Sequence, residues 1–188
     1  MNAAAGPRYN AHMSQEPRDV SVLRLQQYQT LLEVAESITR HGDLAELFHD
    51  LAGRLRGVVP FDFITVLLHE DDGDVMRLHV LEPARPSPLD RGEELTPVES
   101  PGGIVWQTQQ PMVIPDLQKE TGYPALQPIW QELGMRSGCY LPLTAAGRRL
   151  GTINFASSRV MDHDSAELEL LGQVARLVAV AVDNALNF

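Results

Sequence analysis

The segment from Arg136 to Ser157, RSGCYLPLTAAGRRLGTINFAS, constrains the fold of this chain more than any other. It reads as two strands, Ser137 to Thr144 and Leu150 to Ala156, around a link containing Gly147, where a residue able to adopt positive φ is useful. Successive side chains of a strand point to opposite faces. Ile153 and Phe155 therefore share one face, and Thr152, Asn154 and Ala156 share the other. Such a strand packs one face into a core and offers the other, mildly polar, to a cavity or to solvent. The hairpin predicts a sheet with two different duties.

The rest of the chain supplies what such a sheet needs. Residues 1 to about 20 are rich in Ala, Gly, Pro, Asn, Ser and Gln without periodicity and read as a disordered leader, leaving residues 21 to 188 as one domain. Helical periodicity begins near Val20, with Tyr28, Leu31, Leu32, Ala35 and Ile38 on one stripe. A second helix is expected from about Leu44 to Arg56, capped by Asp43, with Leu44, Leu47, Phe48, Leu51 and Leu55 on its apolar side before Pro60. Phe61 to His69 and Val75 to Glu82 are strand candidates joined by Asp71-Asp72-Gly73-Asp74, a strong hairpin signal. Four prolines (Pro83, Pro86, Pro88 and Pro97) imply a long surface loop after Glu82. Ser100-Pro101 opens a short helix through Ile104, Val105 and Trp106. Met112 to Ile114 is a brief strand, and Pro124 to Leu133 a weak helix interrupted by Pro128 and ended by Gly134. The last helix starts near Asp164 or Ser165 and is apolar almost all round from Val174, so it must be covered on all sides, by the sheet and by another helix or a second subunit. It reaches Phe188 without a stop signal, as though more protein followed.

Composition removes several classes of function. Of 188 residues, 25 are acidic and 15 basic, a net charge of −10 that repels phosphate backbones and anionic membranes and argues against direct nucleic-acid binding. The longest apolar run in the last helix, Leu177 to Val182, is far short of the roughly 20 residues of a membrane span. Met1 to Val20 has no apolar core of a signal peptide, so the expected location is the cytoplasm. With Cys139 as the one cysteine, an internal disulfide, a zinc-finger set and a redox pair of thiols are all excluded.

The order of elements resembles that of a GAF domain, and two segments carry the likeness. GGIVWQTQQPMVIPDL, Gly102 to Leu117, is similar to that family's glycine, short helix, and strand ending in Asp; SGCYLPLTAAGRRLGTINFAS is similar to its strand, Pro-Leu, glycine turn and Leu-Gly strand. The resemblance runs from about Leu25 to Leu186. VVPFDFITVLLHE (Val58 to Glu70) and MRLHVLEP (Met76 to Pro83) further resemble the N-terminal sensor domains of bacterial enhancer-binding activators of the formate-hydrogenlyase activator type. The ATP-driven and helix-turn-helix domains of such activators are absent, and no phosphate-binding G-x-x-x-x-G-K-[ST] loop occurs. The resemblance implies an α+β, GAF/PAS-like fold: an antiparallel sheet of about six strands, a terminal-helix bundle on one face that commonly dimerises, and small helices and loops on the other that can enclose a ligand.

Candidate sites follow from the residues and from that likeness. Cys139 lies inside a strand without a neighbouring His, unlike relatives that attach a bilin, and it lacks the resolving thiol of relatives that reduce free methionine sulfoxide; it also reads as a small core hydrophobe. Asn154 is followed by Phe155 and not by the Lys of the cyclic-nucleotide-binding branch. Gly102-Gly103 can offer backbone N–H groups to an anion or simply turn the chain into a helix. Asp162-His163-Asp164, and His69 with His79, lack a third ligand at metal spacing, and no catalytic pattern stands out. Trp106, Tyr123, Trp130 and Tyr140 suit either an aromatic cavity wall or the packing of small helices onto the sheet. The residues expected to face a ligand are Trp106, Tyr123, Trp130, Cys139 and Asn154. The function expected is non-catalytic: a sensor of an unknown small molecule, with no metal, forming a homodimer through its terminal helices and acting on an output domain in transcriptional regulation or signal transduction. A dimerisation-only module and a methionine sulfoxide reductase-like enzyme are the alternatives.

Overall fold

A computed structural model describes residues 26, 29, 33, 44–57, 59–83 and 94–186. The expected leader, the apolar stripe of the first helix, the Asp43 cap and the proline-rich stretch from 84 to 93 lie outside the described residues. Helix α1 spans Leu44–Leu55, and its side chains at Leu47, Phe48, Leu51 and Leu55 recur at helical spacing and are all buried. Its Arg54 pairs with Asp50 one turn earlier at 3.0 Å and with Glu33, a helical residue, at 3.7 Å.

The chain then makes strands β1 (Phe63–Glu70) and β2 (Val75–Glu82), helix α2 (Pro101–Thr108), strand β3 (Met112–Ile114), helix α3 (Gln127–Leu133), strands β4 (Ser137–Ala145) and β5 (Arg148–Ser157), and helix α4 (Ser165–Leu186). All pairings are antiparallel, in the order β2-β1-β5-β4-β3. The last strand in sequence thus enters the middle of the sheet. Five strands stand among the described residues where about six were expected; at the β2 edge a single Met76–Leu95 bridge takes the next position. The β1–β2 turn has Gly73 at φ 102° and Asp74 at φ 52°, and the β4–β5 turn has Ala146 at 49° and Gly147 at 79°; Gly73, Asp74 and Gly147 suit the left-handed conformation, whereas Ala146 adopts it against the preference of its side chain.

Insertion of β5 brings a tight contact. A Cβ on Gly151 would lie 2.0 Å from the Leu67 carbonyl oxygen, so β1 and β5 meet there only because no side chain intervenes. Eight consecutive residues of β5, Leu150 to Ser157, are buried. The mildly polar face therefore meets a second layer of protein and not bulk solvent.

Two cores result. On one face, α1 and α4 pack Phe48, Leu51, Val174 and Val178 onto Ile153, Phe155, Leu141 and Cys139. On the other, Val105 of α2 and Ile129, Trp130 and Leu133 of α3 close over Phe63, Tyr140 and Ala156. Pro128 stands in the first turn of α3, where its missing N–H costs nothing, so it begins this helix and does not interrupt it.

Helix α4 is capped at its start and packed along one side. Asp164 caps it: its carboxylate accepts from Glu167 N–H at 2.8 Å while Glu167 accepts from Asp164 N–H at 3.3 Å. Val174, Val178 and Val182 are fully buried within one chain, whereas Val180 is 52 % exposed and Leu186 48 %. Within one chain the helix is thus covered along the stripe of Val174, Val178 and Val182 and open around Val180.

Two glycine substitutions should move stability in opposite directions. Gly151→Ala drives a methyl group into backbone and should cost about 3 kcal/mol or more. Gly53→Ala meets nothing within 4 Å on an exposed helix position and should add roughly 0.5–1 kcal/mol. Urea unfolding midpoints measure both.

Candidate functional site

Between the sheet and the layer of α2 and α3 lies a cavity whose space for the centres of water-sized molecules is about 60 Å³. Its sheet side carries Thr65, Leu67, Tyr140, Asn154 and Ala156; its roof carries Leu126, Ile129, Trp130 and Leu133, and the start of α2 closes one side with Ser100, Pro101 and Gly102. None of the described residues lining it is charged.

Local sequence explains how α2 is placed. Ser100, extended at φ −138°, is the N-cap; its hydroxyl oxygen accepts from Gly103 N–H at 2.9 Å, and Pro101 fills the first helical turn. Gly103 packs against backbone, since a Cβ there would reach within 2.0 Å of the Pro97 carbonyl oxygen. Gly102 lies on the sheet: a Cβ would approach Leu67 Cδ1 and Thr152 Oγ1 to 2.9 Å and Asn154 Oδ1 to 3.9 Å. The helix start thus touches the polar face of β5 because Gly102 has no side chain.

That polar face is incompletely satisfied. Asn154, only 4 % exposed, donates from Nδ2 to Thr65 Oγ1 at 2.9 Å, but its Oδ1 is buried without a hydrogen-bond partner. Thr152 Oγ1 beneath Gly102 is also buried and unpartnered. An unmatched buried polar atom costs about 1–3 kcal/mol, and each such exception in a folded protein requires a reason. The α3 side of the roof is braced by Gln127, whose Nε2 donates to the Leu117 carbonyl at 2.9 Å and to that of Glu120.

The structure separates the residues expected to face a ligand. Trp130 and Asn154 both line the cavity. Tyr123 stands behind Trp130, edge-on with ring centroids 6.3 Å apart, and its hydroxyl reaches Met112 Sδ at 3.9 Å. Trp106 lies at the far end of α2, stacked on His69 at 3.8 Å and donating from Nε1 to the Arg149 carbonyl at 3.1 Å. Cys139 belongs to the core under α1 and α4, on the opposite face of the sheet. Tyr140, one of the aromatic residues considered, is a wall of the cavity, and burial pushes its phenol well above the usual range. Thr65 and the leucines of the lining carry no sequence signal apart from a hydroxyl on a strand otherwise apolar on that face, Phe63-Thr65-Leu67.

His69 and His163, two of the histidines weighed as metal ligands, pair with carboxylates away from the cavity. His69 contacts Asp74 at 2.7 Å and Asp71 at 3.3 Å across the turn, opposite Met76 and not His79 in the ladder. His163 meets Glu167 at 3.2 Å in the first turn of α4. Among the described residues no group of three or more His, Cys, Asp or Glu is placed to hold a metal ion.

The model of the GAF domain family matches residues 43–182. The chain is 23 % identical over 169 residues to the formate hydrogenlyase transcriptional activator of Salmonella typhimurium, covering 86 % of this chain and 24 % of that protein. It therefore spans about a quarter of the length of the curated relatives it matches, the relative's share being 24 %. Among solved structures, the GAF domain from a phosphoenolpyruvate-protein phosphotransferase of Coxiella burnetii superposes with a TM-score of 0.72 at 17 % identity, covering 86 % of this chain and 95 % of that one. A free methionine-R-sulfoxide reductase from Neisseria meningitidis, in complex with its substrate, gives 0.68 at 14 % identity, covering 100 % and 99 %.

Burial pushes the Cys139 thiol up to about 12. In the unfolded chain such a thiol loses its proton near pH ~8.5, so between there and pH ~12 only the folded state keeps it. Stability should be unaffected below that window and then fall by about 1.4 kcal/mol per pH unit through it. The buried Tyr140 phenol adds to the fall above pH ~10. Urea melts of the wild type and Cys139→Ala should diverge in slope from pH ~8.5 upward, and the native thiol should resist iodoacetamide at pH ~8.

Proposed function

This chain belongs to the GAF domain family, and we propose that it is a non-catalytic sensory module that binds a small molecule between its sheet and α2–α3 and signals through its helical layer. The observation that carries this reading is the Asn154 Oδ1 left unpartnered at a cavity closed by the start of α2. A ligand that pairs with Asn154 Oδ1 while touching the start of α2 binds best when α2 is seated, and so favours that arrangement.

A route outward is supported by contacts at the other end of α2. Trp106 and Gln107 reach Arg149, and Gln109 accepts from Thr144 at 2.6 Å, so α2 grips the β4–β5 turn. From that turn Arg148 pairs with Asp183 of α4 at 2.9 Å. Seating of α2 is thereby linked, through the hairpin, to the last helix. The similarity to a transcriptional activator supports an output in transcriptional regulation, delivered by a further domain. A homodimer would use the uncovered stripe of α4 around Val180.

A reductase is disfavoured by the thiol chemistry. Cys139 is the chain's one cysteine, it lies in the core away from the cavity, and burial keeps it protonated. A dimerisation-only module is the second reading, supported by the smallness of the cavity and the exposed Val180.

Native mass spectrometry of the chain purified from its own host is expected to find a bound small molecule that Gly102→Val removes. Side chains there would fill the space next to Thr152 and Asn154. Only apo mass in the wild type, with no thermal shift from cell-extract metabolites, overturns ligand sensing in favour of the dimer-only reading. Separately, Val180→Glu should leave the melting temperature within a few degrees and weaken association measured by analytical ultracentrifugation; a wild-type chain monomeric at high concentration refutes the dimer.

A further inference from the structure

The polar groups at the cavity form a complementary pair. Asn154 Oδ1 is an acceptor without a donor. At the start of α2, Pro101 has no N–H, Gly103 donates to Ser100 Oγ at 2.9 Å and Ile104 to the Ser100 carbonyl at 3.1 Å. The donor left over in this first turn is the Gly102 N–H, at the positive end of the helix. Gly102 and Asn154 both line the cavity, and a Cβ on Gly102 would stand 3.9 Å from Asn154 Oδ1, so the two residues border the same small volume.

Charge and size narrow the occupant further. With no charged side chain among the described lining residues, an ion entering the cavity would lose its hydration without gaining a counter-charge. Roughly 10–15 Å³ of such space holds one water, so about 60 Å³ takes on the order of five waters, or a molecule of similar size. The rest of the wall, Leu67, Leu126, Ile129 and Trp130, is apolar or aromatic and suits a compact hydrocarbon remainder.

We propose that the cavity selects a small uncharged amide or lactam, of about six non-hydrogen atoms, whose carbonyl oxygen accepts from Gly102 N–H and whose N–H donates to Asn154 Oδ1. This assignment rests on the reading of the cavity as a ligand site. Donor and acceptor adjacent on one edge of the ligand match the adjacent acceptor and donor of the protein. Neither an anion nor an acceptor-only molecule can do so.

Three probes of equal heavy-atom count test it: 2-pyrrolidinone, which has both groups, cyclopentanone, which only accepts, and butyrate, which is anionic. Each is titrated into the ¹⁵N-labelled full chain and followed by NMR. 2-Pyrrolidinone is expected to shift the Gly102 amide and the Asn154 side-chain amide in a saturable way, and to bind about tenfold or more tighter than cyclopentanone. Asn154→Leu should abolish that preference while retaining cyclopentanone; should this variant not fold, the wild-type ranking decides alone. Equal affinities for 2-pyrrolidinone and cyclopentanone, or tighter binding of butyrate, overturn the ligand class and leave the cavity a binding site. Saturable binding by none of the three overturns both.

Discussion

The seating of β5 between β1 and β4 is the contact on which the rest of the structure depends. It joins residues some 90 positions apart in sequence (Thr65 and Asn154, separation 89) and buries one strand on both faces. Such non-local pairing is entropically demanding and succeeds only if the strand fits on every side. At Gly151 the fit is set by the Leu67 carbonyl; at the strand's end Asp62 accepts from the Ser158 N–H and hydroxyl, each at 2.6 Å, and is held below the usual carboxylate range mainly by that hydroxyl. Once β5 is in place its two faces define two compartments: the helical core of α1 and α4, and the cavity layer of α2 and α3.

The two compartments obey different rules. Under α1 and α4 the core side chains are apolar and buried, with Cys139 among them as a protonated thiol. In the cavity layer the strand presents Thr152 and Asn154, and not all of their hydrogen-bonding capacity is used. A fold built for stability alone would put apolar groups of the same shape there, since replacing both partners of a buried polar contact is nearly neutral while leaving one unmatched is not. Local departures from consistent packing of this kind concentrate at functional sites.

Helix α2 connects the compartments. Its start is a wall of the cavity, and its end is bound to the β4–β5 turn by Trp106, Gln107 and Gln109. The ion pair from Arg148 to Asp183 brings the same turn onto α4. The start of this eight-residue helix lines the cavity and its end is held at the turn that carries the Arg148–Asp183 pair, so a run of contacts leads from one face of the sheet to the other.

What the sequence determined was local. Gly147 and Asp-Gly marked both turns, Ser100-Pro101 marked the start of α2, and the alternation of Ile153 and Phe155 with Thr152 and Asn154 marked the two faces of β5, because each depends on a few consecutive residues. The motifs around Gly102 and Gly147 also carried the family, and Trp130 and Asn154 were legible as cavity residues. What only the tertiary structure decided was adjacency. Trp106 was drawn away to His69, Cys139 into the opposite core and Tyr123 behind Trp130, while Thr65 and Gly102 came to the polar floor. Period and composition say which face of an element a residue occupies; which element lies across from that face is set by the insertion of β5, and no local pattern encodes it.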